Sequence, residues 1–412
     1  MKRSVLLLLA SAARASALIQ QCSGKAVEEG GNWFCGQINH ILYRGIDGYG
    51  SFKDVTGMGS KGKCQMVERN YSGSLAPLDQ DVELHHVPGS LSIHIRGPFQ
   101  LKEAAVYNKL APNKKHNAEA PCFSHGRSRN QQVREPQEKA NMVTAAVEGK
   151  VVTRENNWLP TLTPAPVAAP ASGGFGGSWS RVAYYDAERQ VVRNMVFMGN
   201  YGRGPRVLDH VWGSSVAYLN ADGSDGAASP QILKDVLIPS NKEFAIFSAE
   251  RCDASCGFSR AQDVAYKGFG GANKIFLFRF KMPLDGSRGF NGDRPALWVL
   301  NARIPRTAQY HACSCWTSGC GEADIYEVLA MGDIKCKSTI HLTKGGGSSD
   351  YFARPVDSFI RVAVVFNQAT SSVSIQLLPD NTRFSPGLDD ATVQRWIKGP
   401  ADGKMSSLFE IS

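Results

Sequence analysis

From about residue 180 onward the chain repeats one texture: "RVAYYD", "NMVFMGN", "SSVAYLN", "EFAIFSA", "KIFLFRFKM", "PALWVLN", "STIHLT", "FIRVAVVFN" and "SVSIQLL", nearly all separated by turn residues. Short runs rich in β-branched and aromatic side chains fold as strands, and no long amphipathic period interrupts them. About nine to a dozen such strands predict a mainly β chain, with an antiparallel β-sandwich of the concanavalin-like jelly-roll kind over 180–412. One sheet of such a sandwich can form an open cleft. The 41 Gly and 20 Pro supply the turns, and 42% hydrophobic residues suffice for a sizeable core.

A chain of 412 residues exceeds what one core usually organises, so two units are expected. Residues 18–111 mix aromatic and β-branched runs with Gly and Pro turns and read as a small β-rich amino-terminal domain. Residues 112–179 are polar, then rich in Pro, Ala, Gly and Ser, and read as a linker. The start "MKRSVLLLLASAARASA" has a basic beginning, an apolar run and a small-residue cleavage site, which predicts a signal peptide over 1–17. The apolar run is far short of the ~20 residues of a membrane span. "SSLFEIS" offers no long apolar tail for a lipid anchor. A secreted, extracellular or wall-associated protein is implied.

All ten cysteines, Cys22, Cys35, Cys64, Cys122, Cys252, Cys256, Cys313, Cys315, Cys320 and Cys336, follow that start. An even number in an exported chain predicts five disulfides, with "CDASC" closing locally. The spacings lack the paired CxxC of a zinc ribbon, so no metal is expected, and nothing calls for a cofactor. The split of four and six lets each half close its own bridges. Asn70 in "NYS" is a glycosylation sequon. The formal charge of +9 comes without an aromatic-plus-basic motif, so no nucleic-acid partner is expected; retention on a negatively charged wall is the functional reading of that charge. A monomer is expected.

One stretch, "CSCWTSGCGEADIYEVL", sets three acids close together among apolar residues. In a strand, alternate side chains share a face, which joins Glu322 to Asp324 but turns Glu327 away. A β-bulge at Ile325 or Tyr326 returns Glu327 to the same face and makes E-x-D-x-x-E a row of three carboxylates. Like charges so close are costly unless a proton is shared or the site uses them. Two glutamates flanking a sugar bond, with Asp324 between them sharing a proton, suit glycosidic cleavage. A solvated acidic strand fits less well because Ile325, Val328 and Leu329 flank the acids. Calcium ligands would be spread over a loop instead.

"GCGEADIYEVL", with "RPALWVLNARIPRTAQY", "STIHL" and "SDYFARP", resembles a fungal cell-wall family of glycosyl-hydrolase-like proteins, in which a glycine-rich amino-terminal domain precedes a catalytic-like domain. "GNWFC", "YSGSLAPLD" and "IRGPFQLKEAAVYN" fit the first of these, so the likeness spans nearly the whole mature chain. The acidic strand also resembles that of glycoside hydrolase family 16, the β-glucanases with a β-jelly-roll fold. The resemblance implies Glu322 as nucleophile, Asp324 as its electrostatic helper and Glu327 as acid/base, acting on cell-wall β-glucan by hydrolysis or transfer. Ala323, where related strands carry a larger apolar residue, and Arg294 beside Pro295 depart from the pattern without touching the acids.

Further candidates are Trp298 for stacking on a sugar face, His341 for bonding a carboxylate or hydroxyl, and Arg306, Gln309 and Tyr310 for the cleft rim. A buried core Trp, a satisfied core His and a tied-down loop are the competing structural readings. "GGGSSDY", 345–351, reads as a mobile loop over the cleft. The rival to an enzyme is a non-catalytic wall-binding protein on the same scaffold.

Overall fold

The computed structural model describes residues 22, 24–59, 61–78, 90–110, 142–147, 150–155, 178–200, 206–209 and 211–411. The chain divides into two units, residues 1–110 with 176–412 and residues 111–175.

Two large sheets build the first unit. The front sheet runs in the order Ala217–Tyr218, Val196–Gly199, Glu243–Phe247, Ser90–Arg96, Ala296–Asn301, Glu322–Glu327, Lys335–His341 and Phe352–Ala353. The back sheet runs Val191–Arg193, Trp179–Asp186, Gln100–Lys109, Lys274–Lys281, Ile360–Asn367, Ser372–Leu378, His40–Arg44 and Ser406–Glu410. Neighbours along both orders are antiparallel, apart from the parallel pair that Ser406–Glu410 makes with His40–Arg44. Each apolar run of the carboxyl-terminal half is a strand, and the mainly β, two-sheet expectation holds.

Period-two alternation fills the main core. Phe276, Phe278 and Phe280 point inward from the back sheet, and Ile93, Ile95, Leu297 and Val299 from the front. Each is removed from water, worth about 1.5–3 kcal/mol per large side chain. The alternate residues Ile275, Leu277 and Val365 face out from the back sheet and are covered by helix Asp390–Lys398 through Val393, Trp396 and Ile397. Asp389 caps that helix, accepting from Thr392 N at 2.7 Å.

The expected boundary between an amino-terminal domain and the sandwich does not exist as a division between cores. Ser90–Arg96 lies in the middle of the front sheet, between Glu243–Phe247 and Ala296–Asn301. Gln100–Lys109 lies in the middle of the back sheet, between Trp179–Asp186 and Lys274–Lys281. The two strands belong to opposite sheets and do not pair with one another, and both feed one common core. Each is hydrogen-bonded on both edges to strands from beyond residue 178. The crossing between them passes so near another segment that a Cβ on Gly97 would lie 2.2 Å from the Pro239 carbonyl oxygen, which leaves glycine as the residue that fits.

The segment read as a linker likewise joins no second domain. Lys109 pairs with Trp179, and Leu110 N donates to Ser178 O at 2.8 Å, so the chain leaves and re-enters the back sheet at one point. Within the second unit, Met142–Val147 and Lys150–Glu155 form an antiparallel hairpin. The expected signal peptide and Cys122 lie outside the described residues.

Among the described residues four disulfides are formed: Cys22–Cys35, Cys64–Cys313, Cys252–Cys256 and Cys315–Cys320. Cys64–Cys313 corrects the expectation that each half closes its own bridges. Its cause is the hairpin Asp47–Met58/Cys64–Ser74, which packs Phe52 among Ile304, Cys315 and Cys320 and sets Asp54 2.7 Å from Arg303 Nη1. Cys336, expected in a bridge, instead carries a free, buried thiol beside the Met282 sulfur in the main core. Among the described residues no other cysteine faces that core. Asn70 is exposed on the hairpin. The 345–351 loop is tied down: Gly346 bridges Ile340, and Ser348 and Asp350 are buried.

Candidate active site

The strand Glu322–Glu327 holds one residue more than its neighbours can match. Trp298 opposes Asp324 and Leu297 opposes Tyr326, leaving Ile325 without an opposite number. On the other side Thr339 opposes Asp324 and Lys337 opposes Glu327. This is a β-bulge where the spacing E-x-D-x-x-E requires one. Ile325 and Tyr326 both enter the main core. Glu322, Asp324 and Glu327 share the other face with their cross-strand partners Leu300, Trp298 and Ala296, which belong to a separate outer cluster.

Each acid has its own partner. Tyr310 OH donates to Glu322 Oε1 at 3.1 Å, and Trp316 Nε1 donates to Glu322 Oε2. Trp316 sits in a short turn, Cys315–Ser318, whose amino end is capped by Ser314 and which the Cys315–Cys320 disulfide closes. Tyr310 packs edge-on to it, with ring centroids 5.1 Å apart. His341 Nε2 lies 2.9 Å from Asp324 Oδ2. Arg96 Nη2 lies 3.3 Å from Glu327 Oε1, while its Nε donates to the Arg294 carbonyl at 2.8 Å.

Burial and crowding set the charges. Glu322 is pushed up to about 8, first by loss of water and then by the Asp324 charge, against the opposing hydrogen bonds of Trp316 and Tyr310. Glu327 is pushed up to about 7 by the same two causes, and Arg96 opposes them. His341 is raised, chiefly by its hydrogen bond to Asp324. Tyr310 is raised by burial and then by the Glu322 charge. The row therefore holds protons near neutrality that an exposed row of carboxylates would have lost, and its titration belongs to the group as a whole.

The structure brings Glu322, Asp324, Glu327, His341, Tyr310 and Trp298 together. Trp298 is 3% exposed and forms a floor: its ring lies 5.4 Å from His94 and 5.8 Å from the Arg96 guanidinium, and its Nε1 has no hydrogen-bond partner. Gln309 reaches the site indirectly by donating to Glu243 Oε1 at 2.8 Å; Glu243 is the cross-strand partner of Arg96. Arg306 does not join the acids. It is buried with Nη1 2.8 Å from the Cys252 sulfur, under the local bridge. Trp316, Arg96, His94 and Glu243 escape the sequence reading. Trp316 stood inside the acidic stretch, with the two cysteines that lock its turn as a signal. Arg96 and His94 came from a segment assigned to another domain.

Fold and site together define a class: a two-sheet β-sandwich protein with a bulged strand that presents three carboxylates on one face. The chain belongs to the Tos1/YJL171C family of cell wall proteins. Residues 39–109 match the family's amino-terminal model and residues 177–396 its carboxyl-terminal model, both described as cell wall protein YJL171C/Tos1. Among curated relatives, a protein of Arthroderma benhamiae named "Probable circularly permuted 1,3-beta-glucanase" is 36% identical, over 92% of this chain and 93% of its own. Proteins of Candida albicans and Saccharomyces cerevisiae, each named "Probable circularly permuted 1,3-beta-glucanase TOS1", are 32% and 33% identical, over 93% of this chain and 95% of theirs. No solved structure is significantly similar.

Proposed function

We propose that the protein is a secreted glycosidase of cell-wall β-1,3-glucan that works by a retaining, two-carboxylate mechanism, ending in hydrolysis or in transfer to another glucan chain. The observation that carries this reading is the bulge, which sets Glu322, Asp324 and Glu327 on one face with different partners. The names of the relatives supply the glucan and its linkage.

In the first step Glu327 gives its proton to the glycosidic oxygen while Glu322, as carboxylate, attacks the anomeric carbon. The leaving glucan departs and a covalent glycosyl-enzyme remains. Glu327 then takes a proton from water or a sugar hydroxyl, which releases the sugar from Glu322 with two inversions and net retention. Burial supports Glu327 as an acid that stays protonated at mildly acidic pH. Glu322 must be ionised to attack; burial and the Asp324 charge push it up to about 8, and the donors Trp316 and Tyr310, with the positive charge that develops on the sugar, work in favour of the carboxylate. Asp324, held by His341 between the two, acts on both glutamates through its charge.

Retention is what one strand supplying both glutamates favours: their Cα atoms lie ~13 Å apart at ~3.3 Å per residue, a span that two glutamate side chains leaning inward can close. Proton NMR of the first product of β-1,3-glucan cleavage, read before mutarotation, is expected to show the β-anomer, and an initial α-anomer would refute the double displacement. Glu322→Gln and Glu327→Gln are each expected to abolish turnover while glucan binding persists. Tight glucan binding by the wild type without any release of sugar ends would favour a non-catalytic wall protein.

A further inference from the structure

On the far side of the molecule from the acid row, the outer face of the back sheet changes character along its strands. The rows through Tyr107 and Ile275 and through Ala105 and Leu277 are apolar and covered by helix Asp390–Lys398. The next row, across four adjacent strands, reads Asp186, Glu103, Arg279, Arg361. These residues floor an open groove of about 1050 Å³, walled on one side by the 381–386 loop. Tyr107 OH holds that loop by donating to the Ser385 carbonyl at 2.8 Å. Six arginines and three carboxylates line the groove.

Arg279 and Arg361 are direct cross-strand partners, an arrangement in which like charges destabilise a sheet. The ladder shifts register beside Arg279, with Lys102 as the extra residue opposite, and such irregularities re-aim side chains. The Nε atoms of both arginines are buried without a hydrogen-bond partner, a state that costs free energy when nothing offsets it. Arg279 Nη1 is 3.7 Å from Glu188, a loose contact, its guanidinium lies 5.5 Å from the Phe359 ring centroid, and the Arg361 side chain makes no hydrogen bond among the described residues. The carboxylates are better satisfied. Glu103 accepts from Tyr184 OH at 2.7 Å, and Asp186 lies 3.5 Å from Arg189 Nε. What the groove lacks is an oxyanion that can take two guanidinium forks at once.

We propose that this groove binds a sparsely anionic polysaccharide, one whose phosphate ester or uronate carboxylate docks on Arg279 and Arg361. The volume exceeds what a single small anion fills. The interspersed carboxylates accept sugar hydroxyls but repel a chain charged at every unit, which disfavours a nucleic acid. Such a site gives the net charge of +9 a specific place of action, and it does not depend on the chemistry at the acid row.

Isothermal titration of the full-length protein tests this with three probes: a gluco-oligosaccharide carrying one phosphate, the same oligosaccharide without it, and a uronic-acid oligosaccharide. In the titrations of the two anionic probes, excess plain oligosaccharide is kept present to occupy any site at the acid row. At least one anionic probe is expected to bind tenfold or more tighter than the plain one, and which one names the anion. Arg279→Gln/Arg361→Gln is expected to lose that preference at least tenfold while turnover of plain glucan stays at wild-type level. Arg361→Gln alone, which gives up no hydrogen bond, is the second variant, with its melting temperature as the check on folding. Unchanged affinity in a folded variant, or equal binding of charged and plain probes, overturns the proposal. Inorganic phosphate binding as tightly as the oligosaccharide overturns the polysaccharide, and a single-stranded oligonucleotide that outcompetes it overturns the sparse charge.

Discussion

Replacing Glu322 by Gln removes one ionisable group from the acid row and keeps its shape, so the change in stability should depend on pH in a way that can be worked out beforehand. Glu322 is raised in the folded state from 4.5 to about 8. Below pH 4.5 the group is neutral in both folded and unfolded chains and contributes nothing. Between 4.5 and 8 the unfolded chain ionises first, so the folded state binds more protons and stability falls as pH rises. Above about 8 the loss is complete. At about 1.4 kcal/mol per tenfold, the ceiling on that loss is about 5 kcal/mol, and because the row titrates as a group the share expected at Glu322 is about half or more. With an unfolding entropy of about 2.1 cal/mol/K per residue, a unit of this size gains roughly 3–6 °C in melting temperature. Glu322→Gln should therefore gain that much on the wild type between pH 4.5 and 9 in paired calorimetric scans. Any misfit of the amide with Trp316 or Tyr310 is common to both ends of the range and drops out. A difference that stays flat with pH, or moves the other way, would refute the argument that burial and Asp324 hold Glu322 protonated.

Arg96→Gln takes away the cation that opposes the rise of Glu327; the basic limb of the kcat/KM profile should move to higher pH, and an unmoved limb counts against the ion pair. Trp316→Phe removes a donor to Glu322, which at about 1.5–3 kcal/mol should lower kcat roughly ten- to hundredfold with little change in melting temperature. Equal kcat would show that this hydrogen bond does not matter. Cys64→Ser/Cys313→Ser opens a loop spanning a sequence separation of 249 residues, with a chain-entropy ceiling of about 5 kcal/mol. The double variant should melt several degrees lower, and an unchanged melting temperature would mean that the hairpin is held by Asp54–Arg303 and Phe52 alone.

The strands beyond residue 180 were legible because each buries one face, and burial imposes a period of two that composition cannot hide. The bulge was legible for the same reason: acids at 322, 324 and 327 fit one face only if a residue is added between the last two. The partner of a strand is another matter. Nothing in the alternation of "LSIHIR" says that its neighbours lie around residues 245 and 298, so Arg96 and His94 were invisible as parts of the site. Cysteine spacing failed similarly, since Cys64 and Cys313 meet through the packing of Phe52 and not through their positions in the chain. Arg306 was drawn to the acids by its proximity in sequence, whereas the turn after Asn301 carries it under the Cys252–Cys256 bridge.

The chain leaves the back sheet after Leu110 and returns at Ser178, and residues on either side of that excursion are woven through both sheets. A single proteolytic nick within 111–175 would thus produce no separate fragments. The amino-terminal piece would remain as His40–Arg44, Ser90–Arg96 and Gln100–Lys109, paired on their edges with strands of the carboxyl-terminal piece. Cys64 belongs to the first piece and Cys313 to the second, so the two would also stay covalently joined. The nicked protein would migrate as one species without reductant and as two with it, a two-chain form whose acid row still draws Arg96 from one chain and Glu327 from the other.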